Sequence, residues 1–324
     1  MGARFSSIVG LIAFLGVAFL EPAAAQEKVR MAYLLGSSGA PAEIMRSLKL
    51  GERHGVEIEY RTFQDIAAMD RAFVLNEIDI HGNLALNQWA AFLNQGHDIV
   101  GVMGALHPPS YVVVKKDSAY RELKDLLGKR VGVYGLNGTS TAILGVLAHE
   151  ILGGVDIRKS MELFNSSPPI LATLLGKGEV EAVLNLPPFV PRMLHSGDYR
   201  SILDTDAAWK EKAGSHLPFA VIAASRKTIE QRPKAVQGAV NAWRDAVNLL
   251  KQKPELLNDY LAKARLTTPG EQKLAQEMMI PQYMSTWTPD HVAMIKAYWK
   301  RAVDSGFLDR AATGDGWYKF DFAR

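Results

Sequence analysis

The chain has 324 residues, no cysteine, 48% hydrophobic side chains and a formal net charge of +3. The missing thiol excludes disulfides, thiolate nucleophiles, thiolate metal sites and lipid attachment through an N-terminal cysteine. So mild a charge, with no basic run of five or more residues, gives no footing for nucleic acid.

The first residues have the three zones of an export signal. Arg4 is a positive start, Ile8 to Leu20 is an unbroken apolar run, and Ala23, Ala24 and Ala25 are small residues that a signal peptidase accepts before Gln26. A bilayer span needs about 20 apolar residues, more than this run supplies. Residues 1–25 are therefore expected to be a cleaved signal peptide, leaving a protein in the periplasm that is not membrane-anchored. The remaining length of about 300 residues suits two domains of ordinary size.

Beyond the leader, apolar runs alternate with helical patterns. Val29 to Leu35 predicts a buried strand, Gly36-Ser37-Ser38-Gly39 a turn, and Pro41 a helix start with Ile44, Met45 and Leu48 on one face. Val56 to Phe63 and Ile78 to Ile80 predict strands, with a helix marked by Ile66, Met69 and Phe73 between them. A helix is expected from Leu84 to Gln95, with Gly96 as its stop. Ile99 to Ala105 and Tyr111 to Val114 predict further strands.

The pattern then begins again. Val131 to Tyr134, Met161 to Phe164, Val180 to Leu186 and Pro218 to Ala224 predict strands, and Thr139 to Leu152 and Ile170 to Leu175 predict helices. Everything beyond Lys234 reads as helix, with Pro254, Pro269 and Pro289 near helix starts. Strands alternating with helices imply βαβ units and a mainly parallel sheet. The expected class is α/β, two units with a helical tail.

Enzyme signatures are missing. There is no P-loop, Gly132, Gly135 and Gly138 do not have the GxGxxG spacing, and the GSSG turn is not GxSxG. The eight histidines form no HExxH motif and no i, i+3 or i+4 pair. No cofactor and no metal are expected.

What chemistry there is lies in three turns between a strand's carboxyl end and a helix start: Ser37-Ser38-Gly39, Asn83, and Asn137-Gly138-Thr139-Ser140-Thr141. Free N–H groups and the positive end of the backbone dipole attract anions there. In open α/β sheets, ligands sit beyond the carboxyl ends of the strands. Ser, Thr and Asn are also ordinary helix caps, so one such turn alone specifies no ligand. Three together raise a binding reading, since charge-assisted hydrogen bonds contribute roughly 1.5–3 kcal/mol each. His107 and His81 lie beside strand ends, with a structural role preferred for His81, and Trp89 reads as core. Asn185, polar at the end of an apolar strand, is the best candidate of the second unit.

Four segments carry a resemblance. They are Asn76-Glu77-Ile78-Asp79-Ile80, the run Leu123-Lys124-Asp125-Leu126-Leu127-Gly128-Lys129-Arg130-Val131-Gly132-Val133, the turn Gly138-Thr139-Ser140, and Lys177-Gly178-Glu179-Val180-Glu181-Ala182-Val183. Together, over Val29 to Arg226, they resemble the nitrate, sulfonate and taurine group of ABC-transporter solute-binding proteins, which includes the thiamine-pyrimidine binders.

The resemblance implies a type II periplasmic-binding fold with a ligand cleft between two lobes and the C-terminal helices packing on lobe 1. It divides the chain into 26–116 (lobe 1), 117–217 (lobe 2) and 218–324 (return to lobe 1), with crossings near Lys115–Ser118 and Asp206–Pro218. The implied ligand contacts are Ser37, Ser38, Asn83, Gly138, Thr139, Ser140 and Asn185, with His107 added by its position. The implied partners are a small organic anion and an ABC permease and ATPase complex, met by a monomer. Asn185-Leu186-Pro187-Pro188 departs from the aromatic and acidic residues often found there, which weakens the case for an amine-bearing ligand. An exported enzyme on the same fold, or a binding protein feeding a sensor or chemoreceptor, remains as an alternative.

Overall fold

The computed structural model describes residues 27–34, 36, 38–63 and 65–323. The expected leader and Ser37 lie outside them. The strands in chain order are β1 (Glu27–Leu34), β2 (Val56–Phe63), β3 (Ile80–Ala85), β4 (Ile99–Leu106), β5 (Tyr111–Lys115), β6 (Arg130–Val133), β7 (Glu162–Asn165), β8 (Ala182–Asn185), β9 (Tyr199–Asp204) and β10 (Ala220–Ser225). They form two five-stranded sheets, ordered β2-β1-β3-β10-β4 and β7-β6-β8-β5-β9. In the first, β1 runs parallel to β2 and β3, and β10 runs antiparallel to β3 and β4. In the second, β6 is parallel to β7 and β8, and β5 is antiparallel to β8 and β9.

Strand composition follows position. β4 is buried along its whole length, and its sequence IVGVMGAL is apolar throughout, as a strand covered on both faces requires. β2 lies at the sheet edge and carries Glu57, Glu59 and Arg61, charges that discourage pairing with another chain. β5 alternates, with Val112 and Val114 in one small core and Tyr111 and Val113 in another, so the second sheet is packed on both faces.

The main core joins the first sheet to the tail. The helix Pro233–Gln252 packs on the helix Ala40–Ser47 and on β1 and β2. The tail packs on lobe 1, as expected, and it also reaches lobe 2. The helix Pro289–Asp304 lies against both the helix Leu86–Asn94 and the helix Thr139–Ile151, and Pro269–Met279 lies against Phe189–His195. Ile143, Val146 and Leu147 of the Thr139 helix accordingly belong to the main core rather than to that of their own sheet. Arg158 of lobe 2 donates to the Gly306 carbonyl at 2.7 Å, and Arg192 donates to that of Ala264 at 2.5 Å.

Several expectations need correction. The helix expected from Leu84 begins at Leu86, because β3 continues to Ala85. The cause is long-range pairing: β10 sets Ala220 opposite Ala85 and Val221 opposite Leu84. The first crossing lies not at Lys115–Ser118 but at residues 107–110, since β5 pairs with β8 and β9 and so belongs to the second sheet. The second passage, residues 205–219, contains the helix Thr205–Ala213. Strand β9 and the helix Phe189–His195 are additions to the expected set.

Candidate functional site

In lobe 1 the turn after β1 is held by a distant tyrosine. The Tyr260 hydroxyl accepts from Gly36 N at 2.8 Å and donates to the Gly36 carbonyl. Gly39 leaves room for that arrangement, because a Cβ there would meet the Leu34 carbonyl oxygen at 2.2 Å and the Tyr260 oxygen at 2.9 Å. Ser38 lies in this turn and is buried. The register Ala32 opposite His81 brings Asn83 level with Leu34, so Asn83 and the Ser38 turn share the carboxyl edge of neighbouring strands.

Asn83 is placed inside β3, not in a turn that caps a helix. His81 fixes its backbone: Nδ1 of the ring accepts from Asn83 N at 3.2 Å, and Nε2–H donates to Asp70 at 3.0 Å. His81 is thus a structural residue with both nitrogens committed. The side chain of Asn83 is different, because its Oδ1 is buried with no hydrogen-bond partner. A buried polar atom without a partner costs roughly 1–3 kcal/mol, so it calls for an explanation.

In lobe 2 the helix Thr139–Ile151 starts with Gly138 as its N-cap, and no side chain caps it. Thr141 Oγ1 turns back to donate to the Gly135 carbonyl at 2.8 Å, and the Gly135 N–H donates to Asn165 at 2.9 Å. Thr139 and Ser140 are both buried and make contacts that reach beyond their helix. Thr139 Oγ1 accepts from Asn87 N of lobe 1 at 3.2 Å, and Ser140 Oγ accepts from Ser110 Oγ of the first crossing at 2.8 Å. The starts of two helices, one from each lobe, therefore meet directly.

Asn87, Ser110 and Gln282 were not anticipated. Asn87 accepts from Tyr298 Oη at 2.6 Å, and Gln282 donates to the Tyr111 hydroxyl at 3.3 Å while its own Oε1 stays buried without a partner. Ser110 carried a legible signal, a small polar residue just before a strand, but Asn87 and Gln282 sit in helical segments that look unremarkable.

The remaining candidates are tied to the scaffold. Asn185 donates to the Pro168 carbonyl at 3.0 Å and accepts from Leu186 N at 2.9 Å, so its amide braces the end of β8. His107 Nδ1–H donates to the Leu217 carbonyl at 2.9 Å, which places His107 at the crossing beside His216. Burial pushes the His107 imidazole down to about 4, with His216, His291 and Lys251 adding to the shift, so the ring is neutral at neutral pH. Asp79, in the first of the resembling segments, is an ion-pair anchor: burial would raise its carboxyl, but bonds from Arg30 and Arg232 outweigh that and hold it at about 2.

Two surface hollows lie at the opposite edges of the sheets. One is lined by Asn76, Ile99 and Ser225 at the amino end of β4, the other by Lys115, Gly197 and Tyr199 at the amino end of β9. The carboxyl edges carry the uncapped helix start and the unpartnered amides, and ligands of open α/β sheets bind at that edge.

The described residues contain no helix long and apolar enough to cross a membrane. The model of the NMT1-like family matches residues 22–263. No curated protein matches the sequence. Among solved structures, the chain is similar to the alkanesulfonate-binding protein SsuA from Xanthomonas axonopodis pv. citri bound to MOPS. That match has 18% identity, a TM-score of 0.72, and coverage of 89% of this chain and 96% of that one. It is similar to the periplasmic aliphatic sulphonate binding protein SsuA from Escherichia coli, with 18% identity, a TM-score of 0.73, and coverage of 88% and 89%. It also resembles the periplasmic nitrate-binding protein NrtA from Synechocystis PCC 6803, with 12% identity, a TM-score of 0.67, and coverage of 91% and 86%. The fold is the two-lobed periplasmic-binding-protein fold.

Proposed function

The chain belongs to the NMT1-like family, and from that premise we propose that it is the solute-binding component of an ABC importer for a small organic anion. It captures a sulfonate-, taurine- or carboxylate-like molecule between the lobes, outside the cytoplasm, and delivers it to a membrane permease. It acts as a carrier and not as a catalyst. The proposed contacts are Ser37, Ser38, Asn83, Gly138, Thr139 and Ser140, with Asn185 and His107 supporting the walls.

The observation that carries this reading is the buried, unpartnered Oδ1 of Asn83 at the carboxyl edge of the first sheet. A half-turn of the amide presents NH2 in place of oxygen, so the same residue serves an anion's oxygen or a donor on the ligand. The uncapped start of the Thr139 helix supplies backbone N–H groups and a positive dipole end. Neutral donors suffice: two or three charge-assisted bonds at roughly 1.5–3 kcal/mol each give useful affinity without an arginine. Because Asn87 and Thr139 bond across the lobes, ligand binding would favour the closed form by population shift.

The test is a thermal-shift screen of sulfonates, carboxylates, nitrate and pyrimidines on the mature chain, repeated with Asn83→Ala. A ligand raises the melting temperature by mass action in the parent and less in the variant. No shift from any class refutes the reading.

A further inference from the structure

The two passages between the lobes are bonded to each other. Phe219 N donates to the Leu106 carbonyl at 2.8 Å, and Thr205 N donates to that of Ser110 at 3.0 Å. His107 Nδ1–H donates to Leu217 between them. In the same place His216 Nδ1 lies 2.8 Å from Asp206 Oδ2, and the rings of His107 and His216 have their centroids 5.0 Å apart. One nitrogen from each ring and one carboxylate oxygen of Asp206 fall within 4.8 Å of one another. The hydrogen bond to His216 accounts for only one oxygen of Asp206, and Oδ1 is buried without a partner.

We propose that His107, Asp206 and His216 form a binding site for a transition-metal dication, zinc being the best fit, which ties the two interlobe passages together. Two imidazoles and one carboxylate are a donor set that suits zinc and does not suit magnesium or calcium. The bond from His107 Nδ1–H to a backbone carbonyl is the outer-shell arrangement that orients a metal-ligating histidine and leaves Nε2 as the ligand atom. Bonds to zinc of about 2.0–2.2 Å set neighbouring ligand atoms roughly 3.4 Å apart. The donor atoms, which lie within 4.8 Å of one another, would draw together to that spacing around the ion. Three protein ligands leave a fourth position for water. His107 comes from the first passage and the other two from the second, so the metal would link the two passages side chain to side chain.

The experiment titrates the chelator-treated full chain with zinc, cobalt, calcium and magnesium by calorimetry, with unfolding temperature as a second readout. The expected result is one saturable zinc per chain, cobalt competing and calcium and magnesium inert. His107→Ala and His216→Ala should each weaken zinc by at least about 100-fold, at or beyond the upper end of the loss typical for an outer-shell partner. Circular dichroism of the metal-free variants checks the fold. His216 is partly exposed, so its variant remains informative even if His107→Ala does not fold. Absence of zinc binding overturns the proposal, as does affinity unchanged in His216→Ala, which would put the metal on other histidines. Solute binding measured with chelator present reads the importer function separately.

Discussion

Replacing Asp79 with asparagine is the sharpest test of how the first lobe is held. The Asp79 side chain is only 5% exposed, and it accepts from Arg30 N at 2.8 Å, Arg30 Nε at 3.0 Å and Nη2 at 2.9 Å, and from Arg232 Nη2 at 2.6 Å. It joins the start of β1, the approach to β3 and the entrance to the long helix Pro233–Gln252. The carboxyl lies at about 2 in the folded chain against an ordinary 3.8, a depression of nearly two units. At about 1.4 kcal/mol per unit this contributes about 2 kcal/mol. The folded value is the lower one, so the contribution is fully present above the unfolded value of 3.8 and is lost as the pH falls through about 2. Asp79→Asn keeps the shape and removes the charge, leaving two guanidinium groups against an amide. Both guanidiniums are about one-third exposed, which limits their penalty, so the expected loss at neutral pH is about 2–3 kcal/mol. Urea unfolding followed by tryptophan fluorescence, across a pH series into the acid range, measures the difference between parent and variant. That difference should shrink steadily below about pH 4. A difference that stays constant with pH, or one below about 0.5 kcal/mol at neutral pH, would show that the pairing is not what lowers the carboxyl.

Other perturbations address the site and the interlobe seam. Thr139→Val removes the acceptor of the Asn87 N–H and should cost about 1 kcal/mol of closed form, near fivefold in ligand affinity by calorimetry; an unchanged affinity would mean the bond plays no part in closure. Gly39→Ala drives a Cβ into the Leu34 carbonyl oxygen, and backbone cannot yield as a side-chain tip does. A loss of about 1–3 kcal/mol or more in chemical unfolding is expected, and a neutral result would contradict the turn geometry. Gly145→Ala places a Cβ 2.1 Å from the Phe307 ring, which is itself covered by Arg158 at 4.2 Å. It should lower the melting temperature and increase the radius of gyration in X-ray scattering; retention of both would mean the ring swings aside freely. Trp299→Ala empties a fully buried site between Trp89 and Trp317 and should cost about 3–5 kcal/mol, read by calorimetric unfolding.

Much of the architecture was legible in the chain itself. The apolar run Ile99 to Ala105 had to be a strand, and the Gly138-Thr139 turn had to open a helix, because burial and capping act on neighbours in sequence. The block from Leu123 to Val133 carried the family. Periodicity reports what a segment wants, however, and not which segment it will pair with. Strand β3 runs past Asn83 because β10, far along the chain, pairs with Leu84 and Ala85. The first crossing moved to residues 107–110 because β5 found its partners in the second sheet. The meeting of Asn87 with Thr139, and of His107 with Asp206 and His216, exists only once both passages are folded side by side. Local chemistry thus determined most of the strands and helices and the small polar turns around Ser38 and Gly138. Long-range pairing alone decided which of those turns face one another, because each contact joins residues whose own neighbourhoods carry no trace of the partner.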